Sequence, residues 1–220
     1  MEPSMLKLYS YFRSSAAYRV RIALNLKGLP YEILPVHLLR DGGQQKQAAY
    51  TRLNPAQLVP TLVDGDAVYT QSLAILEYLE EAHPAALALL PADPAGRARV
   101  RALALTVACE IHPIDNLRVL QYLKDTLGVA DAGRDAWYQH WVCAGFDVLE
   151  QLLGDSPATG RYCHGDSVSI ADCCLVPQVF NARRFKVPMD RYPIIARIES
   201  ACLELDAFRQ AAPGAQPDAE

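Results

Sequence analysis

The sequence predicts two domains of different fold class, an α/β domain over residues 1–85 and an all-helical domain over residues 93–220. Strand and helix signals alternate through the first part of the chain, whereas strand signals are poor in the second part. Between the two lies ALALLPADPAG, residues 86–96, which with Pro84 contains three prolines and breaks the pattern. We therefore expect the domain boundary in this stretch.

The first elements form a βαβ unit. Residues 6–10 alternate between apolar and polar side chains, as strands do. From Ser15 apolar residues recur at helical spacing, and Lys27-Gly28 followed by Pro30 predicts where that helix ends. The run YEILPVHL, residues 31–38, predicts a second strand. Because a helical crossover joins the two strands, they should be parallel.

The next elements add two strands and a helix. The run TLVDGDAVYT, residues 61–70, predicts two short strands around a turn at Asp64-Gly65-Asp66. A helix then follows, with Ser72 as its expected N-cap and leucines on one face. The resulting order, βαβ followed by ββα, is that of a thioredoxin-like domain.

The second domain is expected to be a helical bundle. Its predicted helices cover residues 94–126, 134–153, 169–183 and 193–208. In the segment SVSIADCC, Ser169 and Asp172 have the spacing of a capping box, which is a stabilising device. The final stretch AAPGAQPDAE, residues 211–220, is expected to be frayed.

Composition argues against several classes of protein. The net charge is -4 at pH 7, whereas nucleic-acid surfaces are usually basic. No apolar run reaches the roughly 20 residues that span a bilayer. The first ten residues lack the basic and apolar regions of a signal peptide. We expect a cytoplasmic protein with no nucleic-acid or membrane partner.

The six cysteines form no CxxC pair and no zinc-finger spacing. They are Cys109, Cys143, Cys163, Cys173, Cys174 and Cys202. We expect most of them to be small buried side chains in a reducing compartment, and a catalytic cysteine among them is the minor alternative. No metal site is predicted.

Six segments together resemble the zeta class of cytosolic glutathione transferases, which includes maleylacetoacetate isomerases and bacterial maleylpyruvate isomerases. They are YSYFRSSAAYRVRIALNLKG, DGGQQ, LNPAQLVPTL, QSLAILEYLEE, NLRVLQYL and VSIADCCLVPQVFNARRFKV. The resemblance covers residues 6–208, and its combination of motifs is specific although each motif alone is weak. One position departs from the class, because its Ser-Ser-Cys motif ends here in Ala16.

The resemblance gives a role to two serines at the start of the first helix. A helix N-terminus presents unpaired N–H groups and a partial positive charge, which stabilise an anion such as a thiolate. The resemblance implies that bound glutathione supplies this thiolate, that Ser14 donates a hydrogen bond to it, and that Ser15 lies in the same site. The residues alone favour the alternative that both serines only cap the helix.

Further glutathione contacts are implied by the resemblance. Pro60 would follow a cis bond and leave the backbone of Val59 open to pair with the cysteinyl part of glutathione; an ordinary turn proline is the alternative. Gln71-Ser72 would hold the γ-glutamyl carboxylate, and Gln45 would reach the glycyl end. The full predicted set is Ser14, Ser15, Ala16, Ala17, Tyr18, Arg19, Gln45, Val59, Pro60, Gln71, Ser72, His112 and Asn116.

His112 and Asn116 belong to the predicted second domain. Their spacing of four places them on one face of the first long helix, and by resemblance that face looks into the active-site cleft. His112 would then contact glutathione, from its own or a partner subunit. The alternative is that these are polar residues near a kink at Pro113.

The reaction implied by the resemblance is cis–trans isomerisation of maleylacetoacetate or maleylpyruvate. A thiolate adds to the double bond, rotation follows, and elimination returns the thiolate, so that glutathione is not consumed. Arginine suits the substrate carboxylates because its planar fork binds them at two points. The candidates are Arg13, Arg118 and Arg184, with Arg184 favoured by resemblance. Leu117, where maleylpyruvate isomerases tend to have an arginine, favours maleylacetoacetate.

Two alternatives remain open. A glutathione transferase or dehalogenase acting on small α-haloacids would use the same thiolate but consume glutathione. A non-enzymatic binding or dimerisation module would not need Ser14, Ser15, Val59-Pro60 and Gln71-Ser72 together. By resemblance we also expect a homodimer.

Overall fold

A computed structural model of the chain describes residues 5–220 and divides them into two compact units. The first unit contains the described residues through Leu89 together with Glu204–Glu220, and the second contains Leu90–Leu203. The division after Leu89 lies in the predicted boundary stretch. Residues 204–220, which were predicted to belong to the helical domain, are grouped with the first unit.

Buried hydrogen bonds explain where Glu204–Glu220, here called the return segment, is packed. Its helix α10 (Asp206–Ala211) lies against α1 (Ser15–Leu26). The Tyr18 hydroxyl of α1 donates to the carbonyl of Phe208 at 3.2 Å. These contacts join residues far apart in sequence, which no local pattern predicts.

The end of the return segment is also ordered, so the predicted fraying of residues 211–220 is wrong. The Gln216 side chain is buried and its amide donates to the carbonyls of Gln210 and Ala212 at 2.8 and 2.9 Å. Pro213 is buried as well. Hydrogen bonding to its own backbone keeps this short stretch folded.

The first unit is built on a four-stranded mixed sheet of order β2-β1-β3-β4. Its strands are β1 (Leu6–Ser10), β2 (Tyr31–Pro35), β3 (Thr61–Asp64) and β4 (Ala67–Thr70). As predicted, β1 and β2 are parallel, and β3 runs antiparallel to β1 and to β4. Gly65, with φ of 58°, allows the tight turn between β3 and β4.

Three helices accompany the sheet: α1, α2 (Ala48–Leu53) and α3 (Ser72–Ala82). The core between sheet and helices includes Leu8, Leu62 and Leu76, none of which is exposed. Lys27, at the C-cap of α1, forms a buried ion pair with Glu80 of α3, its Nζ lying 2.6 Å from Oε1. The two helices are therefore tied together by both apolar packing and charge.

The second unit is helical, and the predicted fold class is confirmed. Its helices are α4 (Pro94–Leu105), α5 (His112–Asp115), α6 (Leu117–Asp125), α7 (Asp131–Gly154), α8 (Ile170–Arg184) and α9 (Pro193–Leu203). Fully buried residues such as Phe146, Val179 and Ile195 form its core. Within residues 5–220 no helix has the length and apolar character needed to cross a membrane.

The single helix predicted over residues 94–126 is instead broken into pieces. A π-helical segment, Thr106–Ile111, separates α4 from α5. Asn116 then has extended backbone, with φ of -73° and ψ of 164°, and its side chain accepts a hydrogen bond from the Val119 amide of α6. Because Asn116 caps a new helix, the helical pattern in the sequence hides a real break.

The predicted capping box at α8 is confirmed. Asp172 is fully buried, and its carboxylate accepts the N–H of Ser169 and the N–H of Cys163, each at 2.8 Å. These bonds satisfy a buried charge and fix the loop before α8.

Candidate functional site

One edge of the sheet gathers several of the residues predicted to bind glutathione. Thr61, the first residue of β3, pairs with the end of β1 and also with Thr70, the last residue of β4. The Val59-Pro60 pair directly before β3 and the Gln71-Ser72 pair directly after β4 therefore lie at the edge where β1 leads to Ser14. The sheet register brings together positions that are far apart in sequence.

Ser14 is the N-cap of α1. Its Oγ accepts the N–H of Ala17 at 3.2 Å, and its own N–H donates to the carbonyl of Tyr11 at 2.9 Å. A hydroxyl oxygen that accepts a bond still has its hydrogen to donate. Capping and donation to an anion are therefore compatible roles for the half-buried Ser14.

Most of the other side chains at the start of α1 are buried or hydrogen-bonded within the first unit. Ser15 and Ala17 are buried, while Ala16 is half-buried. Tyr18 uses its hydroxyl to bond to the return segment, and Arg19 donates from Nη1 to Ser72 Oγ at 3.2 Å. A contribution of this turn to an anion site would come chiefly from backbone N–H groups.

The start of α3 differs from the prediction. Gln71 occupies the N-cap position, and Ser72 is the first helical residue, so the predicted N-cap at Ser72 is wrong. Gln71 has φ of 67° and ψ of 115°, which a non-glycine residue adopts at a cost of about 1–3 kcal/mol. Ser72 is buried and bonded to Arg19.

The Val59–Pro60 peptide bond is cis, as the resemblance implies. The residue before this pair is held firmly, because the carbonyl of Leu58 accepts the Tyr50 hydroxyl at 2.6 Å and the Asn54 side-chain amide at 2.8 Å. These two hydrogen bonds fix the backbone of the loop that leads to β3.

Gln45 lies in the loop after β2 and is buried. Its Nε2 donates to the carbonyl of Leu38 at 3.4 Å, and its Oε1 has no hydrogen-bond partner among residues 5–220. A Cβ at Gly43 would lie 2.7 Å from Gln45 Nε2, so glycine makes room for this side chain. Gln45 Oε1 is therefore a buried acceptor without a partner among the described residues.

His112 and Asn116 do not share a helix face, so that prediction is wrong. His112 is the first residue of α5, which ends at Asp115. Asn116 uses its side chain locally, since Nδ2 donates to the carbonyl of Pro113 at 2.8 Å while Oδ1 caps α6. The predicted contact of these two residues with glutathione stays a prediction.

The three candidate substrate arginines are exposed. The guanidinium of Arg13 lies over the ring of Phe12 at 4.8 Å, and that of Arg184 lies over the ring of Phe185 at 4.7 Å. Such stacking orients a guanidinium while its edge still faces solvent. Arg118 is on α6.

Arg183, the neighbour of Arg184, is part of an ion pair. The Arg183 guanidinium forms an ion pair with the buried Glu199, and Glu199 raises the pKa of Arg183. Both arginines line an open pocket in the second unit, with Phe180 and Leu203 also in its wall.

Comparison with known proteins identifies the family of this chain. Residues 8–87 match the model of the glutathione S-transferase N-terminal domain, and residues 142–213 match that of the C-terminal domain. The chain belongs to the glutathione S-transferase family.

Close relatives within this family carry isomerase names. The chain is 54% identical to a probable maleylacetoacetate isomerase of Vibrio cholerae, over 97% of this chain and 98% of the relative. It is also 54% identical to a maleylpyruvate isomerase of a Ralstonia species, over 97% of this chain and 99% of the relative.

Two solved structures indicate which class of glutathione transferase the chain resembles. A holo structure of maleylpyruvate isomerase, described as a bacterial zeta-class glutathione transferase, has a TM-score of 0.94 at 54% identity and covers 97% of this chain and 100% of its own. A maleylacetoacetate isomerase of Anaeromyxobacter dehalogenans, with bound dicarboxyethyl glutathione and citrate, has a TM-score of 0.84 at 43% identity, covering 98% of this chain and 94% of its own. The predicted resemblance to the zeta class is confirmed.

The cysteines of this transferase are mostly buried, as predicted. Cys163, Cys173, Cys174 and Cys202 are buried, whereas Cys109 is exposed. Burial raises the pKa of Cys163 and of Cys202, so neither is a thiolate at neutral pH. Among residues 5–220 no three His, Cys, Asp or Glu side chains are grouped to hold a metal ion.

Asp115 is a buried acid that is not among the predicted site residues. Its carboxylate is buried, and neither oxygen has a hydrogen-bond partner among the described residues. Burial raises the pKa of Asp115 from 3.8 to about 8. The HPIDN segment that contains Asp115 marks a helix break, but nothing in its pattern signals a buried acid.

We expect Asp115→Asn to raise Tm at pH 8 by at least ~2 °C. Folded Asp115 keeps its proton up to about pH 8, whereas the unfolded chain releases it near pH 4. Stability is therefore lost as pH rises through this window, and asparagine removes the loss. Thermal unfolding from pH 4 to pH 8 measures the effect, which should vanish at the acid end.

The matched control is Asp155→Asn, at an exposed position in the same unit. Its Tm difference from the wild type should stay constant over the same pH range. If Asp115→Asn also gives a constant difference, the buried carboxyl does not behave as described.

Proposed function

We propose that this transferase is a glutathione-dependent cis–trans isomerase that converts maleylacetoacetate or maleylpyruvate to the fumaryl isomer. The observation that carries the proposal is Ser14, whose hydroxyl caps α1 at the sheet edge shared by Val59-Pro60 and Gln71-Ser72. The isomerase names of the relatives support the reaction. Their equal identities, 54% each, leave both substrates in the proposal.

The first unit has groups that fit glutathione. The N-terminus of α3 offers amides to a carboxylate, and the buried Oε1 of Gln45 has no hydrogen-bond partner among the described residues. The strained backbone of Gln71 supports a binding role, since such strain is commonly kept at ligand sites. When bound, glutathione supplies the thiolate that adds to the double bond and leaves it again.

The residues of this chain would then have separate roles. Ser14 donates its hydroxyl hydrogen to the thiolate, and the amides at the start of α1 stabilise the same negative charge. Arg184 binds a carboxylate of the substrate. The dicarboxyethyl glutathione and citrate of the Anaeromyxobacter dehalogenans structure support a site that accepts several carboxylates.

The direct test is an isomerisation assay on both substrates, with and without catalytic glutathione, while the glutathione concentration is followed. The proposal expects turnover that requires glutathione and leaves its concentration constant. No turnover on either substrate would contradict it. Consumption of glutathione with an α-haloacid would favour the alternative transferase or dehalogenase.

We also propose that the enzyme is a cytoplasmic homodimer that acts in aromatic amino-acid breakdown, such as tyrosine degradation. Family membership supports the dimer, because such enzymes are usually symmetric oligomers. Light scattering at micromolar concentration should give twice the 24.2 kDa chain mass, and a monomer mass would exclude the dimer.

We expect Ser14→Ala to lower kcat by about 10²–10³-fold while the protein stays folded, because the thiolate loses its donor. The lost N-cap should cost only ~1 kcal/mol of the free energy of unfolding. Steady-state kinetics and urea unfolding together measure both effects.

Asp93→Ala is the control for the capping effect, since Asp93 Oδ1 accepts the Gly96 amide at the start of α4. It should cost similar stability and leave kcat unchanged. Near-normal turnover by Ser14→Ala would remove Ser14 from the catalytic role.

We expect Arg184→Ala to raise KM for the substrate by about 10-fold or more, with the Kd of glutathione changed less than about twofold. Arg183→Ala is the control, because Arg183 is already paired with Glu199. Its KM should stay near the wild-type value. Weaker glutathione binding without a KM effect in Arg184→Ala would place Arg184 in the glutathione site.

A further inference from the structure

A buried guanidinium holds the connection between β1 and α1. Arg21 is fully buried, and its Nη1 donates to Ser10 Oγ at 2.9 Å and to the carbonyl of Tyr11 at 3.4 Å. Its Nη2 donates to the carbonyl of Phe12 at 3.1 Å. Three groups that precede Ser14 are therefore fixed by one side chain of the helix that follows it.

The return segment holds the same connection from the other side. The Nε of Arg21 donates to the carbonyl of Ala211 at 2.9 Å. Asp218 Oδ2 accepts the N–H of Phe12 at 3.0 Å. The return segment thus contacts both the connection and the guanidinium that organises it.

The Arg21 guanidinium is charged, which strengthens its hydrogen bonds to the connection. Burial lowers the pKa of Arg21 to about 10, and the carboxylate of Asp218 opposes that shift. Arg21 therefore stays charged at neutral pH. Hydrogen bonds that involve a charged partner are stronger than neutral ones, so both anchors of the connection are of the stronger kind.

A second acidic residue keeps the end of the return segment in place. Glu220 forms an ion pair with Arg40 in the loop after β2, and its Oε1 lies 3.4 Å from His37 Nε2. The hydrogen bond from Arg40 lowers the pKa of Glu220, and the charge of Arg13 acts in the same direction. The return segment therefore contacts the loop after β2, at the same edge of the sheet as the candidate site.

These bonds lead directly to Ser14. The Ser14 N–H donates to the carbonyl of Tyr11, which is the carbonyl that Arg21 also contacts. Phe12, whose N–H and carbonyl are both bound, lies two residues before Ser14. A shift of this connection would move Ser14 Oγ, and displacement by ~1 Å can cost about 10²-fold in rate.

We propose that Asp218 and Arg21 are positioning residues, through which the return segment sets the place of the Ser14 hydroxyl. The inference rests on the proposed function, because it assigns the thiolate-donor role to Ser14. Neither Asp218 nor Arg21 is given a role in the chemistry itself.

The test compares Asp218→Ala, Asp218→Asn and a control, Asp206→Ala, in the full chain. Asp206 is an exposed acid of the same segment that pairs with Arg209. Asp218→Ala should lower kcat by about 10-fold and change KM less than about threefold. Asp218→Asn keeps an acceptor oxygen for Phe12 and should recover most of the turnover, while Asp206→Ala should match the wild type.

Hydrogen exchange followed by mass spectrometry gives the local readout. In Asp218→Ala the peptide covering residues 11–17 should exchange faster, while peptides of α3 should exchange as in the wild type. If Asp218→Ala melts below the assay temperature, Asp218→Glu replaces it, because it keeps the charge and displaces the acceptor, with the same expectations.

Wild-type kcat and unchanged exchange in residues 11–17 would overturn the proposal. So would equal losses in Asp218→Ala and Asp218→Asn, or faster exchange spread evenly over the first unit. If the wild type itself does not isomerise either substrate, the proposed function fails, and the exchange result still decides whether Asp218 fixes the connection.

Discussion

The amino end of α1 is the feature on which the rest of the first unit depends. Its first-turn amides and the Ser14 hydroxyl form a place for negative charge, and they work only if the sheet holds them in position. The pairing of β3 with β1 and β4 brings Val59-Pro60 and Gln71-Ser72 to that end. The buried bonds of Arg21 then fix the connection that leads to it.

This arrangement suits a thiolate that a bound ligand supplies. Cys163 and Cys202 are protonated at neutral pH because burial raises the pKa of each, and both lie in the second unit. Ala16 stands where the zeta class usually has cysteine, so a thiol of this chain is absent from the motif as well. In the proposed mechanism glutathione supplies the nucleophile, and the Ser14 hydroxyl and the first turn of α1 provide the hydrogen bond and the helix field that hold it as an anion.

Local signals predicted much of the fold and part of the site. The strands, the extent of α1 and the capping box at Ser169 follow from spacing and cap residues alone. The frayed end predicted for the chain was wrong because that end is held by contacts that lack a local pattern. The bond from Arg21 to Ala211, for example, joins residues 190 apart. Likewise Asn116 interrupts a helical pattern by capping, and Gln71 takes the N-cap position that Ser72 was expected to fill.

The most direct measurement is a pH titration of the ultraviolet thiolate absorbance of glutathione bound to the wild-type protein. A helix N-terminus with a serine donor should lower the apparent pKa of the bound thiol well below the ~8.5 of an ordinary cysteine. Thiolate present at pH 7 would support the account. A bound thiol that titrates as it does in free solution would contradict it, whatever the enzyme turns over.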